Sequence, residues 1–555
     1  MNRGRGGLCR CGVLLWFLTN VAAAQGVPVL IPGGPLQQME EAYADFNDAY
    51  GAVSLIDSDP DKYAGRNYAG RSRDAWQQTY AAKRSQLLGG LENGAGKVSS
   101  ADARAIRLMR SAVEESAPAP DSLAPVGNCQ DAQRRDLQLQ PLQKALYACF
   151  AEYANSLQFE QGTVTRVAAF DMLTRMEDPE RRKALFMAFV PLWQSINGKG
   201  DAGSPYRRMI SMAAAEGRKK GSPVDAAART IGVSTAETER WLEQILDTWR
   251  QVSGDTAMEP WDYRFVGGAA EREIGDSIAR EALQPLNQRY YVDLGLDLAK
   301  ADMIYDLDPR TGKAPLAYTD YVRRGRMVNG TWQPTLARIS ASYGRGGLGS
   351  LNELVHENGH AVHMLALRTR PAFMELGDPI FFEAFADVPS WSVYEPAWQQ
   401  KYLGRSVAEA SSLRALYSTT MLDVAWALFD LRLLRNPQSD PNAVWTDITS
   451  RYLHIAPHPE LAWWAVRVQL VDEPGYMVNY GLGAVITADI RERIKEQLGP
   501  FQTGDVRWNA WISEHLLRTG EEQETVKLLR QFLGRPVSPN ALLGELRRIG
   551  DTAKH

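Results

Sequence analysis

The stretch SLNELVHENGHAVH, residues 350–363, decides how this chain is interpreted. It holds His356 and His360 four residues apart, with Glu357 directly after the first histidine. On a helix, residues four apart share one face, so two neutral imidazoles could bind one tetrahedral Zn²⁺. Glu357 could then reach a water at the open coordination position. The alternative is a helix whose histidines are ordinary core or surface groups.

The residues around this stretch predict a strand followed by a helix. Ser350 and Glu353 form the S-x-x-E pattern of a capping box, which predicts that the helix begins at Ser350. Before it, TLARISASY at residues 335–343 alternates in part and is followed by a glycine-rich segment, which predicts a strand and a turn.

A third ligand has to come from elsewhere in the chain. The continuation H-E-x-x-H-x-x-G-x-x-H needs Gly and His where this chain has His363 and Ala366, which excludes that class of metallopeptidase. His363 is instead expected to contact substrate or to lie in the core.

The segment GDPIFFEAFADVPSWSV, residues 377–393, offers the missing ligand. It places Glu383 four residues before Asp387. On one helix, Glu383 could bind zinc while Asp387 accepts a hydrogen bond from the outer nitrogen of a ligating imidazole such as that of His356. The alternative is a solvated helix face, which the strongly apolar neighbours disfavour, because buried carboxylates need partners.

Composition excludes several function classes. The chain is 45% hydrophobic and 23% charged, as ordinary globular proteins are, and its formal charge is −4. A balance this even gives no field to gather nucleic acid or an anionic membrane, so neither is expected as a partner. No run after the N-terminus approaches the roughly 18 apolar residues of a membrane span. No pattern predicts an oligomeric state.

The first 24 residues predict an export signal. Three arginines precede the apolar run GVLLWFLTNV, and three alanines precede Gln25. We therefore expect a secreted or periplasmic protein that begins at Gln25. In an oxidising compartment Cys129 and Cys149 could form a disulfide or remain two buried thiols.

Hydrophobic periodicity predicts a mainly α-helical fold. Segments such as RDAWQQTYAAKRSQLLGGL and ETERWLEQILDTWRQ carry apolar side chains at three- and four-residue spacings. A capping box at Ser234 and Glu237 opens the second of these helices. The proline-rich APAPDSLAPVG, residues 117–127, predicts a boundary between an N-terminal helical lobe, 25–125, and the remainder, 126–555.

Three segments resemble known zinc peptidases. HENGHAVH at residues 356–363 resembles the H-E-x-G-H-A-x-H of the thimet oligopeptidase family, and DLDPRTGK at residues 306–313 resembles a D-x-x-P-R-x-G-K stretch of that family. Residues 371–393 instead resemble the angiotensin-converting-enzyme segment that carries E-A-x-x-D. The motifs cover roughly residues 300–490 and indicate a distant relative of both families.

The resemblance implies a fold, a cofactor and a substrate class. The fold would be a large helical ellipsoid whose two lobes surround a deep channel, with a small β element beside one Zn²⁺ bound by His356, His360 and Glu383. The channel would admit short peptides and exclude folded proteins. The strand at residues 335–343 matches in position the one that pairs with substrate in those families.

The resemblance also assigns side chains to the substrate. Those families place tyrosines on a late segment, which implies Tyr480 as the oxyanion donor and Tyr476 as a substrate contact. Their substrate-binding histidine has no counterpart here, because the nearest preceding histidines are more than a dozen positions away. Arg467 or Gln469 could replace it as a donor to a peptide carbonyl or a terminal carboxylate.

Three functions remain open from the sequence. The first is a zinc oligopeptidase that uses Glu357 as its general base. The second is a dipeptidyl carboxypeptidase of the angiotensin-converting-enzyme type, and the third is an inactive peptide-binding protein. The third is disfavoured because a binding module needs no general base beside metal ligands.

Overall fold

The computed structural model describes residues 35–552, apart from 60–61, 64, 66, 94–98, 117–126, 255, 311–312 and 314–315. The described part is mainly α-helical with small sheets, which confirms the predicted fold class. The predicted leader and most of the predicted boundary at 117–127 lie outside the described residues, so the division into lobes stays a prediction. Among the helices described, none is both long and apolar enough to cross a membrane.

Helices dominate the chain before residues 350–363. Four of them, α1, α2, α3 and α10, include the periodic segments of the sequence, and Ser234 caps α10 by accepting from the backbone N–H of Glu237, as predicted. The helices are α1 (Pro35–Ser58), α2 (Arg73–Asn93), α3 (Ser100–Glu115), α4 (Leu139–Ala154), α5 (Arg166–Arg175), α6 (Pro179–Met187), α7 (Val190–Asn197), α8 (Pro205–Lys220), α9 (Pro223–Thr230), α10 (Thr235–Val252), α11 (Tyr263–Gly267), α12 (Ala269–Ile274) and α13 (Leu283–Asp293).

A second group of helices builds the core around the candidate site. Most of the side chains of α17 and α20 are buried, and α20 packs on both α17 and α15. The helices are α14 (Leu348–Ala366), α15 (Pro379–Ser390), α16 (Pro396–Leu403), α17 (Glu409–Arg435), α18 (Pro441–Tyr452), α19 (Gln469–Asp472), α20 (Met477–Leu498), α21 (Trp508–Ile512), α22 (Thr525–Leu533) and α23 (Asn540–Thr552), with a π-helical turn at Ser513–Leu517.

The strands form four small sheets. Three of these are two-stranded hairpins, and the fourth is a three-stranded sheet in the order β5-β9-β6. The strands are β1 (Asn67–Tyr68), β2 (Arg71–Ser72), β3 (Leu157–Phe159), β4 (Gly162–Val164), β5 (Met303–Asp306), β6 (Tyr318–Arg323), β7 (Arg326–Val328), β8 (Thr331–Gln333) and β9 (Leu336–Ser340).

The predicted strand at residues 335–343 exists, but its implied role is wrong. It forms the shorter β9, which pairs in parallel with β5 on one side and antiparallel with β6 on the other. Both of its edges are occupied, so β9 cannot receive a peptide backbone. The edge strand nearest the site is β6, which the sequence analysis did not identify.

The motif at residues 306–313 has a structural role. Asp306, at the end of β5, forms ion pairs with Arg310 at 2.6 Å and with Lys313 at 3.0 Å. Lys313 also donates to the backbone oxygen of Ala341, just after β9, and Arg310 donates to the backbone oxygen of Ser58. The motif therefore ties the sheet to the end of α1.

Helix α14 begins earlier than predicted. It starts at Leu348, with Gly347 preceding it at φ +119°, and the capping box at Ser350 is wrong. The reason lies in α12, because Glu271 accepts a hydrogen bond from the backbone N–H of Gly349 at 3.0 Å. A carboxylate from another helix thus caps α14 and leaves Glu353 free to face the cleft.

Cys129 and Cys149 form a disulfide, which resolves the alternative that the sequence left open. It joins a short 3₁₀ turn at Cys129–Gln133 to helix α4. At the N-terminal end of the described chain, helices α1 to α3 share a small hydrophobic core that includes Phe373. Helix α1 also packs against β6, next to the candidate site.

Candidate active site

Two helices bring the three predicted ligands together. Gly359 of α14 lies against the backbone of α15, where a Cβ would meet Ala386 Cα at 2.7 Å and its backbone oxygen at 2.8 Å. Only glycine permits so close an approach without a shift of the helices. Glu383 and Asp387, on the same turns of α15, are thereby held beside the histidines of α14.

The ligand atoms converge on one point. Nε2 of His356 lies 3.1 Å from Nε2 of His360 and 3.4 Å from Oε2 of Glu383, and the remaining pair is 3.8 Å apart. Ligands about 2.05 Å from a tetrahedral zinc lie about 3.3 Å from one another. Two nitrogens and one carboxylate oxygen therefore fit Zn²⁺ and leave a fourth position open.

Charge at this position also suits a cation. Burial lowers the pKa of His356, but Asp387 and Glu383 outweigh it and hold that pKa well above its usual range. Burial and the neighbouring His356 hold the pKa of His360 well below its usual range, which keeps that imidazole neutral and able to bind a metal. Two carboxylates around two imidazoles thus favour a positive charge here.

Asp387 contacts His356, the histidine that it was predicted to orient. Its Oδ1 lies 2.7 Å from Nδ1 of His356 and 3.2 Å from the hydroxyl of Ser390. A carboxylate behind an imidazole fixes the tautomer that presents the other nitrogen to the metal. For His360, no hydrogen-bond partner of Nδ1 lies within the part of the chain that the structure describes.

Glu357 lies beside the open position. Its side chain is 6% exposed, and its Oε2 lies 2.7 Å from the hydroxyl of Thr319 on β6. That hydroxyl is also 2.9 Å from the backbone oxygen of Glu357, and its single hydrogen can bond only one of the two at a time. Burial raises the pKa of Glu357, which His356 and Thr319 offset in part.

The site opens into a cavity of about 750 Å³. All three ligands, Glu357 and Asp387 line it, together with residues 316–319 at the start of β6. The start of the edge strand β6 therefore lines the cleft, at the place where β9 was expected. Thr319 was missed because its segment, YTDYVR, carries no motif, and only its pairing with β9 brings it to the site.

Tyr480 and Gln469 also line this cavity. Gln469 Nε2 donates to the Tyr480 hydroxyl at 3.2 Å, so the tyrosine O–H remains available as a donor. The ring of Tyr476 lies 5.8 Å from that of Tyr480. Arg467 forms an ion pair with Asp423 and lies 5.8 Å from the ring centre of Tyr480.

His363, His454 and His458 do not supply the missing substrate contact. His363 is 1% exposed and packs against Phe381 and Phe385, so the expected substrate contact is corrected to the core alternative. His458 bonds Glu259 and Glu460 on the outer surface, and His454 lies near the backbone oxygen of Arg250. Of the two residues expected to replace the family's histidine, Gln469 is the one that lines the cavity.

Comparison with known proteins agrees with this geometry. Residues 299–548 match the family model described as Peptidase family M3. No curated protein sequence matches the chain significantly. The profile match covers both helices of the candidate metal site and confirms the predicted distant resemblance to peptidases.

Solved structures with the same fold are carboxypeptidases by name, and one of them is named a metallocarboxypeptidase. The M32 carboxypeptidase of Deinococcus radiodurans has 14% identity and a TM-score of 0.58, covering 94% of this chain and 100% of that one. The carboxypeptidase of Pyrococcus furiosus has 14% identity and a TM-score of 0.58, and the match covers 94% of this chain and 99% of that one. Metallocarboxypeptidase 1 of Trypanosoma cruzi has 14% identity and a TM-score of 0.55, and the match covers 93% of this chain and 99% of that one. These likenesses show the fold over nearly the whole chain and, with the profile, support a metallopeptidase.

Proposed function

We propose that this chain is a zinc-dependent peptidase that hydrolyses short peptides, with one Zn²⁺ bound by His356, His360 and Glu383. The observation that carries the proposal is the convergence of these three ligand atoms beside Glu357, a buried carboxylate that is not itself a ligand. A zinc ion held there would acidify a water and polarise the scissile carbonyl.

Glu357 is the general base. Burial moves its pKa upward, toward the range in which a carboxylate both accepts a proton from water and returns it to a leaving amine. Thr319 holds one carboxylate oxygen and leaves the other free for the proton. A protein that only bound peptides would not need this group beside three ligands, which disfavours the inactive alternative.

Tyr480 is the donor to the developing oxyanion. Burial raises its pKa above the ordinary value, so its hydroxyl keeps its proton at neutral pH. Gln469 bonds the tyrosine oxygen from behind and fixes the direction of the hydroxyl. Tyr476, which packs beside it, is assigned to substrate contact, and Arg467 supports Tyr480 from its ion pair with Asp423.

Peptide substrates are held along the edge of β6. An extended backbone adds most readily to a strand whose outer hydrogen-bonding groups are free, and residues 316–319 line the cavity. Stepwise removal of C-terminal residues is a second candidate, because the structures that share the fold are carboxypeptidases by name. Removal of dipeptides from the C-terminus is the related alternative that the sequence raised.

A secreted or periplasmic location is part of the proposal. It is supported by the leader-like first 24 residues and by the disulfide between Cys129 and Cys149, which forms most readily in an oxidising compartment.

Metal analysis combined with a peptide assay tests the function. Purified protein should contain one zinc per chain and cleave a mixture of short peptides, lose cleavage on dialysis against a chelator, and regain it with Zn²⁺. Mass spectrometry of the products distinguishes internal cleavage from release of single residues or dipeptides. A protein that binds no zinc, or whose cleavage ignores the chelator, would contradict the proposal.

A further inference from the structure

A second cavity adjoins the one that holds the ligands. It encloses about 740 Å³ and shares part of its wall with the first, including Leu316, Gly349 and Glu353. An extended peptide bound beside Glu357 would pass from one cavity into the other. The walls of the second cavity therefore contact substrate residues away from the cleaved bond.

Two arginines on this wall have no acidic partner. Arg166, at the first position of α5, and Arg264, on α11, both line the cavity. Among the described residues, no carboxylate lies within ion-pair distance of either guanidinium, and neither makes a side-chain hydrogen bond. Their nitrogens are also absent from the polar atoms sealed in the core without partners, so they open onto the cavity.

Two of the three acids that line this cavity are already paired with other arginines. Asp171 forms an ion pair with Arg345, and Glu271 forms one with Arg175 and accepts from the backbone N–H of Gly349. Glu353 belongs to the wall shared with the first cavity. The positive charges of Arg166 and Arg264 therefore remain uncompensated.

Aromatic rings hold these arginines in place. The guanidinium of Arg264 lies 3.8 Å from the ring centre of Phe170, and that of Arg166 lies 5.3 Å from the same ring and 5.7 Å from Phe150. A ring face supports a guanidinium without using its N–H donors. The N–H donors of both guanidiniums are therefore free to bind a carboxylate through two hydrogen bonds.

A third arginine adds to the positive potential. Arg467 lowers the pKa of both Arg166 and Arg264, after the larger effect of burial, and Arg166 adds to the effect on Arg264. Asp423 neutralises Arg467 itself. Three guanidiniums thus share one carboxylate, whereas four other carboxylates, those of Glu353, Glu357, Glu383 and Asp387, line the first cavity.

We propose that Arg166 and Arg264 form a subsite that binds a carboxylate of the peptide substrate, either its C-terminus or an acidic side chain. The proposal rests on the proposed peptidase function and adds a substrate class to it. The acidic metal side and the cationic second cavity give the cleft a polarity that fixes the direction of the bound peptide.

Paired peptides distinguish the two sources of the carboxylate. In the first pair, one N-acetylated sequence ends in a free acid or in an amide. In the second, an amidated peptide carries Glu or Gln on the side of the cleaved bond that faces the second cavity. For each pair, the ratio of kcat/KM for the charged peptide to that for the neutral peptide is measured.

The expected ratio in the parent protein is about 10 or more for one of the pairs, as for a charge-assisted hydrogen bond. Arg264→Gln and Arg166→Gln should each lower that ratio toward one, mainly through KM. The double variant Asp171→Asn/Arg345→Gln is the matched control in the same cavity, and it should keep the parental ratio because it removes an ion pair without changing the net charge of the cavity. Preference in the first pair assigns the C-terminus, and preference in the second assigns an acidic side chain.

Ratios near one in the parent, or a preference that survives in both arginine variants, would overturn the subsite and leave the peptidase function standing. If thermal melting shows that Arg264→Gln is unfolded, Arg264→Lys replaces it. The lysine keeps the positive charge but lacks the planar guanidinium, so this variant should retain a ratio between one and the parental value. If the parent cleaves none of the peptides, fluorescence anisotropy gives their Kd values. Tighter binding of the charged peptide then supports the subsite although the peptidase function fails, and equal Kd values overturn both.

Discussion

Nδ1 of His356 lies 2.7 Å from Oδ1 of Asp387, and this contact decides which ring nitrogen faces the metal position. With the hydrogen on Nδ1 donated to the carboxylate, Nε2 carries its lone pair toward His360 and Glu383. In the proposed enzyme, Asp387 would therefore act on zinc through His356, whereas Glu383 would bind the ion directly. Substitutions at the two carboxylates should therefore lower zinc affinity to different degrees.

We expect Glu383→Ala to lose zinc on dialysis, because it removes one of three ligands. Asp387→Asn keeps the size of the side chain but weakens the hydrogen bond to His356, so zinc affinity should fall about 10- to 100-fold. Competition with a chromogenic chelator measures both. If Glu383→Ala binds zinc as tightly as the parent, the third ligand lies elsewhere and Asp387 loses its assigned role.

Glu357→Gln should keep one zinc per chain and lose about 100- to 10,000-fold in kcat, because a base is removed and no ligand is. Glu353→Gln is the matched control, one turn earlier on α14 and on the wall of the same cavity. It should retain most of the turnover. Zinc content by mass spectrometry and kcat on one short peptide decide the matter, and near-parental turnover in Glu357→Gln would remove it from the mechanism.

Tyr480→Phe should lower kcat about 100-fold or more with unchanged zinc content, as expected for the loss of one oxyanion donor. Tyr476→Phe, which removes the neighbouring hydroxyl, should act mainly on KM. Steady-state kinetics on the same peptide separates the two effects. A loss of kcat in Tyr476→Phe alone would show that the roles are reversed.

The candidate site follows from sequence to the extent that its residues lie on regular helices. His356, His360, Glu383 and Asp387 were predicted because four-residue spacing on a helix fixes a shared face. Glu357 needs only its place next to the first ligand. For these side chains, their spacing along the helix was enough to assign candidate roles.

What the sequence could not predict depends on contacts between distant segments. The start of α14 was wrong because Glu271, 78 positions before Gly349, replaces the local capping box. The role of β9 was wrong because strand order is set by pairing partners, and β5 and β6 had no recognisable pattern. His363 shares its helix with the ligands, and only the packing of Phe381 and Phe385 shows that it belongs to the core.

Asp430 should make stability depend on pH. Burial raises its pKa to about 7, although it accepts from the backbone N–H groups of Gly475 and Met477. Because this pKa exceeds the unfolded value, its contribution to stability is fully present below about pH 4 and is lost as the pH rises through about 7. Asp430→Asn stays neutral and keeps an acceptor for both N–H groups.

The free energy of unfolding of zinc-loaded Asp430→Asn should therefore rise, relative to the parent, by about 3 kcal/mol between pH 5 and pH 8. Urea unfolding of both proteins at the two pH values, followed by circular dichroism, measures this difference. Equal pH dependence in parent and variant would show that Asp430 is ionised in the native protein throughout that range.

Gly359→Ala tests the packing that brings the ligands together. The added Cβ would lie 2.7 Å from Cα of Ala386, and both neighbours are helix backbone, so α14 and α15 would have to separate. We expect the free energy of unfolding to fall by about 1–3 kcal/mol, as for other overpacked cores. Because the separation moves Glu383 and Asp387 away from the histidines, zinc affinity should fall as well.

Gly544→Ala is the matched control for this substitution. Gly544 lies within α23, and a Cβ there meets nothing within 4 Å. In a helix interior, alanine is favoured over glycine by about 0.5–1 kcal/mol, so this variant should be at least as stable as the parent and bind zinc equally well. Urea unfolding and chelator competition on both variants give the comparison. Parental stability together with parental zinc affinity in Gly359→Ala would mean that the close approach of α14 and α15 does not set the geometry of the ligands.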